Sequence, residues 1–109
     1  MKVSVFFYAH NQENFVKKGI TSIFHQIQIP GFEYELVVID DGSSDGTAVA
    51  IEEALHAAES QGLALWDIQF IKRSNDNNLG QSGTLKQGLG LMTGDYIAIL
   101  EGDDYWISN

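Results

Sequence analysis

Tyr34 to Thr47 reads YELVVIDDGSSDGT. Leu36 to Ile39 are continuously apolar and mostly β-branched, the pattern of a strand covered on both faces. The run stops at Asp40-Asp41. A Gly- and Ser-rich turn follows, in which Ser44 or Asp45 is placed to cap the next helix. Downstream, Ala50, Ile51, Ala54, Leu55 and Ala58 form an apolar stripe at helical spacing. Glu52, Glu53, His56 and Glu59 lie opposite, and Gly62 closes the helix. A covered strand running into an amphipathic helix is half of a crossover unit, which implies a parallel sheet.

The same alternation extends in both directions. Upstream, Val3 to Tyr8 (VSVFFY) reads as a first covered strand. Asn11 is a candidate cap for a helix whose stripe is Phe15, Val16, Ile20, Ile23, Phe24 and Ile27, ended by Pro30-Gly31. Downstream, Trp66 to Arg73 alternates like a strand nearer an edge, and SNDNNLGQSG is a polar loop. Thr84 to Met92 predicts a helix weakened by Gly88 and Gly90, and Asp95 to Leu100 a fourth strand. The expected fold is α/β, an open, mainly parallel sheet with helices on both faces. In such sheets ligands bind beyond the carboxyl ends of the strands, where the strand order reverses.

Composition sets limits on partners. The chain has 109 residues, the size of one domain, and is 44% apolar, enough for a core. Six Lys plus Arg against 15 Asp plus Glu give a net charge of −9, which argues against nucleic acid or an anionic membrane as the main partner. There is no Cys, so no disulfide framework or thiolate metal site, and no apolar run of membrane-spanning length. A cytoplasmic location is the expectation.

The polar residues cluster where the topology wants a ligand. The first strand ends in Tyr8-Ala9-His10-Asn11, the second in Asp40-Asp41-Gly42-Ser43, the fourth in Glu101-Gly102-Asp103-Asp104. In parallel strands these three loops share a rim. Glu101 and Asp103, two apart, are expected on the same side of the chain with Gly102 leaving room. Their mutual repulsion is relieved by a hard divalent cation, which would also bridge to phosphate oxygens. Each cluster alone is also ordinary turn chemistry. NNLGQSG could cradle a phosphate or be a plain turn, and Lys72, Arg73 and Lys86 are the nearest cations.

In order and spacing, VSVFFYAHNQENFVKKGITSIFHQ, ELVVIDDGSSDGT, NLGQSGTLKQGL and TGDYIAILEGDDYW resemble the amino-terminal half of the family 2 inverting glycosyltransferases of GT-A fold. The resemblance implies binding of a nucleotide-diphosphate sugar, usually a UDP-sugar, with Mg²⁺ or Mn²⁺. It assigns nucleotide contacts to Tyr8, Ala9, His10, Asn11, Asp40, Asp41, Glu101 and Gly102, with the cation on Asp103. The family pattern Pro-Thr-Tyr-Asn stands here as Tyr8-Ala9-His10-Asn11, so His10 replaces an aromatic that packs on the base. Its Asp-x-Asp stands as Glu101-Gly102-Asp103, and its Arg-Asn as Leu85-Lys86. The family's acceptor-binding half and its general base lie further along the chain, so residues 1–109 correspond to the donor-binding part, truncated before that half. No residue here is assigned as catalytic. The whole enzyme would use a saccharide or lipid-linked acceptor and could meet the inner membrane face through its missing regions. Apolar surface left by the missing half would favour a homodimer. The rival readings are a non-catalytic binding or interaction module on this fold, a nucleotidyltransferase, which would want a Gly-rich basic loop after the first strand, and a phospho-acceptor domain, which would want a Lys ending a later strand.

Overall fold

A computed structural model describes residues 1–25, 31–62, 67–72 and 79–105. The elements run β1 (Lys2–Ala9), α1 (Val16–Phe24), β2 (Glu33–Asp40), α2 (Thr47–Ser60), β3 (Asp67–Lys72), α3 (Gly80–Leu91) and β4 (Tyr96–Glu101). The strands form one parallel sheet in the order β3-β2-β1-β4.

Successive side chains of a strand point to opposite faces, and both faces are covered. Val5, Phe7, Ala9, Leu36 and Val38 pack with Val16, Ile20 and Ile23 of α1 and with Ile51, Ala54 and Leu55 of α2. On the other face, Phe6, Val37 and Ile39 meet Leu85 and Leu91 of α3. Handedness explains the division. A parallel crossover is right-handed, so connections stepping one way along the sheet lie on one face and a return step lies on the other. α1 and α2 step from β1 to β2 to β3. α3 carries the chain back across to β4, on the far side of β1. The strand order therefore reverses between β1 and β4.

Register places the strand ends together. Ala9 pairs with Asp40 and Tyr8 with Glu101. Three loops thus leave one rim at one height.

Several expectations met the structure differently. Asn11 does not cap α1: it has a φ of 52°, in the left-handed region, and the helix starts at Val16 after a turn. Phe15 is 54% exposed and lies outside the stripe, because it precedes the first helical turn. Ile27, Pro30, Trp66, Arg73 and the loop start SNDNN lie outside the described residues. α3 begins at Gly80, so Gly80 to Gly83 are helical, not loop. On β4, Ile97 and Ile99 share the α3 face but are 48% and 45% exposed, since α3 lies over β1 and β2.

The two doubtful glycines of α3 behave oppositely. A Cβ on Gly88 would sit 2.5 Å from ring atoms of the fully buried Phe6, whereas one on Gly90 would meet nothing within 4 Å. Gly88→Ala is expected to destabilise, because an overpacked core typically costs about 1–3 kcal/mol. Gly90→Ala is expected to stabilise by up to about 1 kcal/mol through helix propensity. Urea unfolding of both variants checks the pair, and equal signs would contradict the packing.

Candidate functional site

The rim after β1 and β2 is laced by short polar side chains. Asn11 donates its backbone N–H to Ser43 Oγ at 2.9 Å, and its Oδ1 accepts from the Ser44 N–H at 2.8 Å. The Gln12 N–H donates to Thr47 Oγ1 at 2.8 Å. Asp45 accepts the Thr47 N–H at 2.9 Å and also the Thr47 hydroxyl, but the N-cap position of α2 is Gly46, so the cap residue is neither Ser44 nor Asp45, contrary to expectation. Burial works against the charge of Asp45, but these donors outweigh it and hold its carboxyl below the usual range. Ser43 donates to Asp40, which is itself buried.

His10 is fixed at both ring nitrogens. Nδ1 lies 2.7 Å from the Asp41 carbonyl oxygen and Nε2 lies 3.3 Å from Asn11 Nδ2. A carbonyl only accepts, so Nδ1 carries the proton and Nε2 accepts from the Asn11 amide. Neither nitrogen is free for proton transfer, while the residue remains exposed.

Asp41 is 4% exposed, and its oxygens accept the N–H groups of Leu79 and Gly80, each at 2.8 Å. A carboxylate from the β2 loop thus binds the orphan amides and positive dipole end of α3. This seats Gln81, in the first turn of α3, over the rim. Its Nε2 donates to Tyr8 Oη at 3.0 Å and to Glu101 Oε1 at 3.2 Å. Tyr8 Oη donates to the same oxygen at 2.9 Å. Burial, and then the hydrogen bond to Glu101, push the Tyr8 phenol above its usual value of 10.0.

These groups line an open cleft of about 160 Å³ at the β1/β4 reversal, walled by Tyr8, Ala9 and His10 from β1 and its loop, and by Asp41, Gln81 and Glu101. Gln12 completes it. Gln12 and Gln81 carry no motif signature, and Gln81 lies in the NLGQSG segment for which the sequence predicts a loop. Lys72 and Lys86 do not line the cleft.

The acidic cluster flanks it. Carboxylate oxygens of Glu101, Asp103 and Asp104, all exposed, lie within 4.8 Å of one another. Strand alternation is not what gathers them, contrary to expectation: β4 ends at Glu101, and the Asp104 N–H bonds back to the Glu101 carbonyl at 3.0 Å, closing a turn. The turn is pressed onto the sheet at Gly102, where a Cβ would lie 2.7 Å from Ala9 Cβ and 2.5 Å from Gln12 Oε1. It also rests on α1, where a Cβ on Gly19 would meet the Asp104 carbonyl at 2.7 Å. The Lys18 ammonium sits 3.8 Å above the Tyr105 ring. An all-oxygen donor set on one tight turn fits a hard divalent cation and leaves coordination positions for phosphate.

An open α/β sheet with this reversal and this rim has the GT-A glycosyltransferase fold. A mannosyltransferase from Pyrobaculum calidifontis, solved with GDP-Man and Mn²⁺, superposes with a TM-score of 0.77 at 23% identity, over 95% of this chain and 28% of that one. Staphylococcus aureus TarS 1-349, solved with UDP-GlcNAc, gives 0.73 at 23% identity, over 96% and 27%. The chain belongs to glycosyl transferase family 2, whose model matches residues 4–109. An uncharacterised glycosyltransferase of Haemophilus influenzae is 34% identical over 94% of this chain, and one of Nostoc sp. is 29% identical over 97%. The chain spans 28% and 29% of the lengths of those two relatives. Among the described residues no helix is long and apolar enough to cross a membrane.

Proposed function

We propose that residues 1–109 are the nucleotide-sugar-binding part of a metal-dependent glycosyltransferase. The donor is a nucleotide-diphosphate sugar, a UDP-sugar in this reading, and the sugar passes with inversion to an acceptor hydroxyl. The observation that carries the reading is the pairing of an acidic turn, Glu101 to Asp104, with a polar cleft at the point where the strand order reverses. Family membership supports it, as do relatives of the same fold solved with UDP, UDP-GlcNAc or GDP-Man and with Mg²⁺ or Mn²⁺.

In this reading Asp103, with Glu101 beside it, would hold a Mg²⁺ or Mn²⁺ ion, which would supply charge stabilisation for a departing diphosphate. Tyr8, Ala9, His10 and Asn11 border the base, and the occupied nitrogens of His10 leave it a ring face, not a proton, to offer. Asp41 accepts an amide of the α3 start on each oxygen, so a contact with a base edge would share an oxygen that already accepts a hydrogen bond. The base that deprotonates the acceptor, and the saccharide or lipid-linked acceptor's own site, belong to other parts of the whole protein. A cytoplasmic location is part of this reading.

The cleft is small beside the roughly 300–1,000 Å³ of a typical ligand pocket. Binding by these residues alone is therefore expected to be weak, with no sugar transfer. Calorimetry of UDP with Mn²⁺ should give measurable heat. Asp103→Ala should weaken that binding by at least about tenfold, the effect expected when a metal loses a carboxylate ligand. No heat from the wild-type chain, or an unaffected Asp103→Ala, would favour a non-catalytic module that retains the fold.

A further inference from the structure

Two side chains at the cleft, Tyr8 and Glu101, touch each other. They are register partners on β1 and β4, so their side chains stand side by side on the α3 face. Tyr8 Oη donates to Glu101 Oε1, and Gln81 Nε2 donates to both oxygens, all within 2.9–3.2 Å.

Each donor is itself held. The Tyr8 ring stacks on Phe6 with centroids 5.4 Å apart and planes 21° apart, and Phe6 is fully buried. Gln81 rides on α3, whose first amides are bound by Asp41. Glu101 Oε1 thus receives two donors. Among the described residues, none reaches Oε2.

We propose that Tyr8 and Gln81 are positioning residues: they clamp Oε1 of Glu101 so that Oε2 is presented in one fixed orientation to the nucleotide and its cation. The proposal rests on the donor-site reading above. Its physical reason lies in the extra methylene. Glutamate has one more rotatable bond than aspartate, and an unrestrained side chain must surrender that freedom when a ligand binds. Two donors anchored in the core and on α3 remove the freedom during folding instead. The clamp thereby makes a Glu serviceable where a shorter acid would need no help.

The test uses UDP with Mg²⁺ as the probe. Gln81→Met keeps the side chain's length and removes both N–H donors. It is expected to weaken UDP affinity about fivefold in an otherwise wild-type chain and not at all in a Glu101→Ala background. Tyr8→Phe should behave alike. A second readout needs no nucleotide, namely NMR relaxation of a labelled Glu101 side chain. Its order should fall in Gln81→Met and in Tyr8→Phe, because each removes one donor to Oε1. A wild-type chain that binds no UDP sinks the donor site and this proposal together. If UDP binds, the clamp alone is overturned by unchanged affinity in Gln81→Met, by an equal loss in the Glu101→Ala background, or by a Glu101 side chain as ordered in Gln81→Met as in the wild-type chain.

Discussion

Glu35→Ala is expected to cost about 3 kcal/mol of folding stability at neutral pH, the upper end of what is lost when buried hydrogen-bond partners are left unsatisfied. Glu35 sits on β2 with 7% exposure, at the end of the sheet away from the cleft. Its carboxylate accepts from Ser4 Oγ at 3.0 Å, from the Thr93 N–H at 2.8 Å and from Thr93 Oγ1 at 2.9 Å, and lies 3.2 Å from Lys2 Nζ. Ser4 in turn accepts the Gly94 N–H at 2.7 Å. One side chain thus ties β1, β2 and the entry to β4, and its loss strands the buried Ser4 hydroxyl together with the Thr93 donors, whose bonds to it are part-buried.

The effect depends on pH with a definite sign. Burial alone would raise the Glu35 pKa, but the hydrogen bonds from Thr93, Lys2 and Ser4 outweigh it and hold the carboxyl below its ordinary 4.5. Its contribution is therefore fully present above pH 4.5 and lost as pH falls below that value through the lowered folded-state pKa. Urea midpoints measured from pH 7 down to pH 3 should show the gap between wild type and Glu35→Ala narrowing at the acid end. A gap independent of pH would mean the ionised group is not what stabilises.

Asp41→Ala should be the next most damaging change, at about 2–3 kcal/mol, since it leaves two helix amides without a charged acceptor in a mostly buried place. The readout is local as well as global. Amide exchange at Leu79 and Gly80 should lose protection, and the start of α3 should loosen. Gln81 would then lose its seat beside Tyr8 and Glu101, so the cleft would degrade along with stability. Asp41→Asn, with one acceptor oxygen left, should fall between. Unaltered exchange at both amides would show that α3 is anchored by something else.

Which parts of this could be read from the chain follows from where the signal was local. The α2 stripe was legible residue by residue, because Ile51, Ala54, Leu55 and Ala58 answer only to helical period and one apolar surface. The strands were legible because Val, Ile and Phe runs such as Val5 to Phe7 have no other use in a chain this short. Asn11 misled because a cap and a left-handed loop residue use the same chemistry, and only the distant Ser43 and Ser44 decide between them. The start of α3 was hidden because its anchor, Asp41, lies far back in sequence. The acidic motif was visible, but the turn that gathers it depends on Ala9 and Gln12 pressing against Gly102. Gln81 gave no signal at all: a glutamine acquires meaning only from the two oxygens it meets.

The central position of β1 has a consequence for how the chain must be made. β1 is made before the strands that flank it, yet one of its edges stays open until β4 arrives, and the Tyr8–Glu101 hydrogen bond closes a span of 93 residues. Such non-local pairing slows folding, and until it forms the Phe- and Val-rich strand presents an unprotected ladder to any neighbouring nascent chain. Clipping translation just before Tyr96 should therefore yield aggregates, while release after the acidic turn should yield soluble protein.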